Sequence, residues 1–136
     1  MKPISWQELG FSDEEARELA EVRRSDDHFP LQKELELWAQ WVKETDHGFT
    51  LTFDELDAAW SARDNVDLSV EGLLRPEQQK RVFVLLDELD RRFRDATIES
   101  ELGGPKDPKR WWRGRIPVSN AARLYLFEHG VAGLDD

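Results

Sequence analysis

Apolar residues recur along this chain at steps of three and four, and the longest such run spans residues 76–96. Within it Val82, Leu85, Leu86, Leu89, Phe93 and Ala96 form one continuous stripe on a helix. Pro76 suits the first turn, where its missing N–H has no helical partner to lose. Phe83 and Val84 lie beside the stripe and are expected to widen the surface this helix buries. On the polar side Asp87–Arg91, Glu88–Arg92 and Asp90–Arg94 each set an acid four residues before a base. Such pairs support a solvated helix face by about 0.2–0.5 kcal/mol each. The pattern predicts a core helix around which the other apolar faces pack.

The remaining elements follow from caps and periodicity. Ser5 with Glu8, Ser12 with Glu15, and Thr52 with Glu55 each have capping-box spacing, in which hydroxyl and carboxylate satisfy free N–H groups reciprocally. The first predicts a single turn ending at Gly10. The second predicts a helix over 13–24, whose narrow stripe of Ala16, Leu19, Ala20 and Arg23 makes it peripheral. Pro30 disfavours helix at Phe29, so the next helix is placed over 31–45, with Gly48 as a left-handed cap. Leu31, Leu35, Trp38 and Val42 form one stripe there, and Leu37 with Trp41 forms a second. The third box opens a helix over 53–63, with Phe53, Leu56 and Trp60 facing the core and Ala59 alongside. Residues 64–69 are expected to be a loop, and 70–74 one further turn. Phe49 to Thr52 alternates briefly enough for a short strand or a lead-in, and 97–102 is compatible with extended chain.

Two glycines and two prolines in residues 103–108 mark a loop or hinge. A last helix capped by Ser119 or Asn120 is expected to run to about His129, with a strand over 122–127 as the alternative, and residues 131–136 form an acidic tail. The expected fold is therefore all-α: a single helical domain over 1–136 with four main helices and one or two short helical turns. An irregular basic segment at 103–117 precedes the last helix.

Charge changes this picture more than size does. The formal net charge is −10, spread unevenly. Residues 1–60 hold 6 Lys/Arg against 15 Asp/Glu, whereas residues 103–136 hold 6 against 4. An acidic body repels phosphate backbones and favours basic partners. The chain has no cysteine, which excludes disulfides, thiolate zinc sites and a cysteine nucleophile. No leader-like apolar region opens it, and no apolar run reaches the roughly 20 residues that span a bilayer. The expectation from these features is a soluble, cytoplasmic protein.

The one basic stretch is the candidate site. Lys106, Lys109, Arg110, Arg113 and Arg115 surround Trp111 and Trp112 within an otherwise acidic chain. Arginine with interleaved aromatics suits a protein hot spot or stacking on single-stranded nucleic acid. The same residues equally suit a plug, with tryptophan in the core and arginines paired to helix acids. Trp38 and Trp41 offer a second aromatic face, for burial or for a partner. Asp26, Asp27 and His28 stand about 22 Å from Asp46 and His47 across a helix of 15 residues, too far apart to share one metal. No metal or cofactor site is expected. Glycine phosphate loops, G-x-S-x-G elbows and H-E-x-x-H are absent, so enzyme function has no support here. The function expected is that of an acidic module docking a basic protein, as an inhibitor, immunity or adaptor protein would. Nucleic-acid or anionic-ligand binding through residues 106–115 is the alternative, and a site assembled from scattered residues a third.

Overall fold

A computed structural model of the chain describes residues 4–101 and 107–120. Four helices carry the fold: α1 (Asp13–Glu21), α2 (Leu31–Asp46), α3 (Phe53–Leu73) and α4 (Pro76–Ala96). After α4 the chain forms β1 (Thr97–Glu99), a 3-10 turn (Pro108–Arg110) and β2 (Arg115–Pro117). The two strands pair antiparallel, with Ile98 opposite Ile116 and Glu99 opposite Arg115. The architecture is an all-α bundle with one small two-stranded ribbon at its edge. Among the described residues no helix is long and apolar enough to cross a membrane.

The centre of the bundle is α2 rather than α4. Helix α2 packs against α1, α3 and α4, whereas α3 and α4 touch each other less. Its stripe of Leu31, Leu35, Trp38 and Val42 is wholly buried, and Trp41 packs half-buried against the same core. Its C-terminus closes as a Schellman motif. Gly48, at φ +81°, donates to the Thr45 carbonyl at 3.0 Å, and Phe49 donates to the Glu44 carbonyl at 3.2 Å. On α4 the stripe packs as its spacing requires, with Val82, Leu86, Leu89 and Phe93 buried. Phe83 and Val84 do not widen it, since both are exposed. The acid–base pairs predicted on its polar side do not form either. Arg92 reaches across to Asp46 of α2 at 2.9 Å, and Asp90 turns inward.

Three other expectations need correction. At Ser5 no capping box forms, because the first turn is capped at Trp6 with no side-chain bond; Gly10 does end it, at φ +92°. Helix α1 stops at Glu21 rather than Arg24. Val22 is extended there, its carbonyl accepts from the Leu31 N–H, and Arg24 leaves the helix to enter the crevice between α2 and α3. Helix α3 does not end at Arg63 but runs unbroken through residues 64–73. Its polar residues there are satisfied by tertiary partners. Ser69 donates to the buried Glu34 carboxylate, and Arg24 bonds Ser69, Asn65 and Glu34 at 3.1 Å each. The box at Thr52–Glu55 opens α3 as expected, although Phe53 on its first turn faces solvent.

Residues 49–52 form no strand. Instead Asn120 bonds both the N–H and the carbonyl of Leu51, at 2.8 and 2.7 Å, as a neighbouring strand would. Residues 118–120 are helical. The continuation expected to His129, the alternative strand over 122–127 and the acidic tail lie outside the described residues, as does most of the loop at 103–108.

Candidate functional site

The site grows from two consecutive residues of α3. Successive side chains on a helix diverge by about 100°, so Arg63 faces α4 while Asp64 faces the segment before β2. Arg63 is 5 % exposed and grips Asp90 of α4 through Nε and Nη2, both at 3.0 Å. The indole N–H of Trp38 donates to the same carboxylate at 3.1 Å. Asp67 stands 3.6 Å from Arg63 Nη1, which makes no hydrogen bond of its own among the described residues.

Asp64 receives the Trp/Arg segment. The Trp112 indole N–H donates to its Oδ1 at 2.8 Å, and Arg113 donates to its Oδ2 through Nε at 2.9 Å and through Nη2. Arg110 lies 3.6 Å from the same oxygen, and Arg113 also approaches Asp57 at 3.9 Å. Trp112, 1 % exposed, slides its ring under the Arg63 guanidinium at 4.4 Å. Its edge meets Trp111 at 5.7 Å in a T-shaped contact. A desolvated cation–π contact of this kind contributes about 2 kcal/mol. Two buried charges of opposite sign on α3 thus pin α4 on one side and residues 110–113 on the other.

Trp111 is half-buried between Phe93, at 6.2 Å, and Arg94, whose guanidinium covers its ring at 3.9 Å. Arg115 follows Gly114, which takes the positive φ of +81° that the turn needs. The Arg115 backbone carbonyl accepts the Trp60 indole N–H at 3.0 Å, fixing β2 onto α3. Its side chain bonds the Thr97 hydroxyl and carbonyl and the Arg94 carbonyl, at 2.9 to 3.2 Å.

Comparison with protein-family models, curated proteins and solved structures gives no match.

The structure brings Arg110, Trp111, Trp112, Arg113 and Arg115 together, whereas Trp38 and Trp41 belong to α2. Trp38 joins the site only from below, through Asp90. Trp112 is enclosed, and Arg94 lies over the half-buried ring of Trp111, so the segment is not an open stacking platform of two adjacent indoles. Asp64 and Asp90 each accept three hydrogen bonds from arginine and indole donors. Among the described residues no three acidic or imidazole groups converge to hold a metal ion. Sequence reasoning missed Arg63, Asp64 and Arg94. Two of these fell in or beside a presumed loop, and Arg94 was assigned to Asp90, which Arg63 takes instead.

Proposed function

We propose that this protein is an acidic binding module that docks a basic protein partner through α1 and the connection to α2. The observation that supports this is an unpaired acidic surface with an apolar residue set in it. Glu14, Glu18 and Glu21 share one exposed face of α1, and Asp26 and Asp27 follow on the exposed connection. Among the described residues none of the five has an ion pair or side-chain hydrogen bond. Phe29, two residues after Asp27, is 58 % exposed. The basic segment contributes little opposing field, because Asp64 and Asp57 hold Arg113 and Asp64 also draws on Arg110. A partner with a lysine- or arginine-rich surface would be steered by the acids. It would then bury Phe29 as an anchor, as apolar groups do at the dry centre of an interface.

The experiment is affinity capture followed by association kinetics with the captured protein across a salt series. The association rate should fall steeply as salt rises. Glu14→Gln with Glu18→Gln and Glu21→Gln should lower it about tenfold at low salt, while Phe29→Ala should speed dissociation. An association rate independent of salt, or a captured partner indifferent to all four substitutions, rejects the proposal.

A further inference from the structure

A cavity of about 370 Å³ opens between β1, the 3-10 turn and β2, walled by Arg94, Arg110, Arg113, Arg115 and Trp111. We propose that it binds a small phosphomonoester, with the phosphate held between Arg94 and Arg115. The inference is independent of the acidic docking surface and uses a different face of the molecule.

The fold leaves two of these cations uncompensated. The chain has 29 acids for 19 Lys and Arg, so a carboxylate partner is statistically easy to supply. Arg113 and Arg110 share the one carboxylate of Asp64. Arg94 and Arg115 have no carboxylate partner at all among the described residues. Arg115 stands opposite Glu99 in the ribbon, yet its guanidinium turns away to three neutral oxygens, those of Thr97 and the Arg94 carbonyl. These bonds hold the planar fork in place without cancelling its charge, and among the described residues its Nη1 makes no hydrogen bond. Arg94 lies over the Trp111 ring with its guanidinium carbon 3.9 Å from the ring centre, a contact that restrains a guanidinium without cancelling its charge. Two like charges fixed at one cavity wall repel each other. An anion between them removes that repulsion, and because both forks are already positioned, little side-chain entropy is lost on binding.

The ligand class follows from charge and shape. Glu99 and Asp107 line the same cavity. Asp64 and Asp57 already take up Arg110 and Arg113, so Arg94 and Arg115 are the two cations of this wall left for a ligand. Two cations match a doubly charged phosphate better than a singly charged carboxylate. Two guanidinium forks also offer more donors than the two oxygens of a carboxylate can take, and a phosphomonoester presents three. The volume exceeds what a bare phosphate fills and lies at the lower end of the range for small-molecule sites, about 300–1,000 Å³. An organic group of sugar size fits beside Arg110 and Trp111.

The test is a titration of ¹⁵N-labelled protein with ribose 5-phosphate at low ionic strength, with ribose and matched sodium chloride as controls. Binding should shift the Trp111 indole N–H saturably, with Kd of about 1 mM or tighter. Arg94→Gln, which alters an exposed side chain, and Arg115→Lys, which keeps the charge but loses the fork, should each weaken binding about tenfold. Arg91→Gln, on the exposed side of α4 and outside the cavity, should leave it within about twofold. Absence of a saturable shift overturns the proposal. So does equal weakening by Arg91→Gln, which would reduce the effect to diffuse charge. A phosphoserine peptide binding about tenfold more tightly, with the same loss in Arg94→Gln, would overturn the assignment to a small molecule.

Discussion

Asp90→Asn tests whether the buried charge pair holds the bundle together. The substitution keeps one oxygen, so the bonds from the Trp38 indole and Arg63 Nε can survive. It turns the other oxygen into an amide that faces Arg63 Nη2, donor against donor. More important, the Arg63 guanidinium loses its bidentate counter-ion while staying buried. Removing one partner of a buried pair costs about 3–5 kcal/mol. Two neighbours lower that figure here: Asp67 at 3.6 Å, itself partly solvated, and the Trp112 ring at 4.4 Å. The expected loss is therefore near the bottom of the range, about 3 kcal/mol. For a chain of this length that corresponds to a fall in Tm of about 10–15 °C. Urea unfolding followed by far-UV circular dichroism measures it, with the slope checked for constancy. Arg63→Met combined with Asp90→Leu should recover much of the loss. Only the Trp38 indole N–H is then orphaned, at about 1–3 kcal/mol. A cost below about 1 kcal/mol for Asp90→Asn, or a double variant as unstable as the single losses added together, would refute this account of the pair.

Two further substitutions probe other parts of the frame. Asp64→Asn should loosen residues 107–117, seen as red-shifted tryptophan emission and faster tryptic cleavage after Arg110 and Arg113; unchanged digestion would show that Asp64 does not hold the segment. Gly48→Ala meets nothing within 4 Å of the added Cβ, so its cost is the positive φ alone, about 1 kcal/mol in urea unfolding; a neutral result would show that the left-handed cap is not kept.

The helices that were legible in sequence are those whose information is local. The stripe of α4, the Thr52 box and the Gly48 cap are written within a few residues of where they act. The second half of α3 was not legible, because Asp64, Asn65 and Ser69 look like loop chemistry when considered alone. They are polar because Trp112, Arg24 and Glu34 come to them from 35 to 48 residues away. The same distance effect hid the charges on α4. Asp90 has a base four residues on, but a buried arginine on another helix outcompetes a solvated one on its own. For the Trp/Arg segment the residue types were legible and the burial was not. Nothing in Trp111-Trp112 distinguishes the ring that enters the core from the ring that rests half-open beneath Arg94.

The neighbouring charges on α3 also set an order for biosynthesis. A chain made from its N-terminus exposes Arg63 for 27 residues before Asp90 follows, and Asp64 for 49 residues before Arg113 does. Through that interval the cleft that Trp112 will fill stands open, with an unmatched carboxylate at its mouth. Until residues 112–116 emerge, the core around α2 lacks the Trp112 and Ile116 side chains that complete it. The Trp/Arg segment is thus among the last parts of the described core to be made.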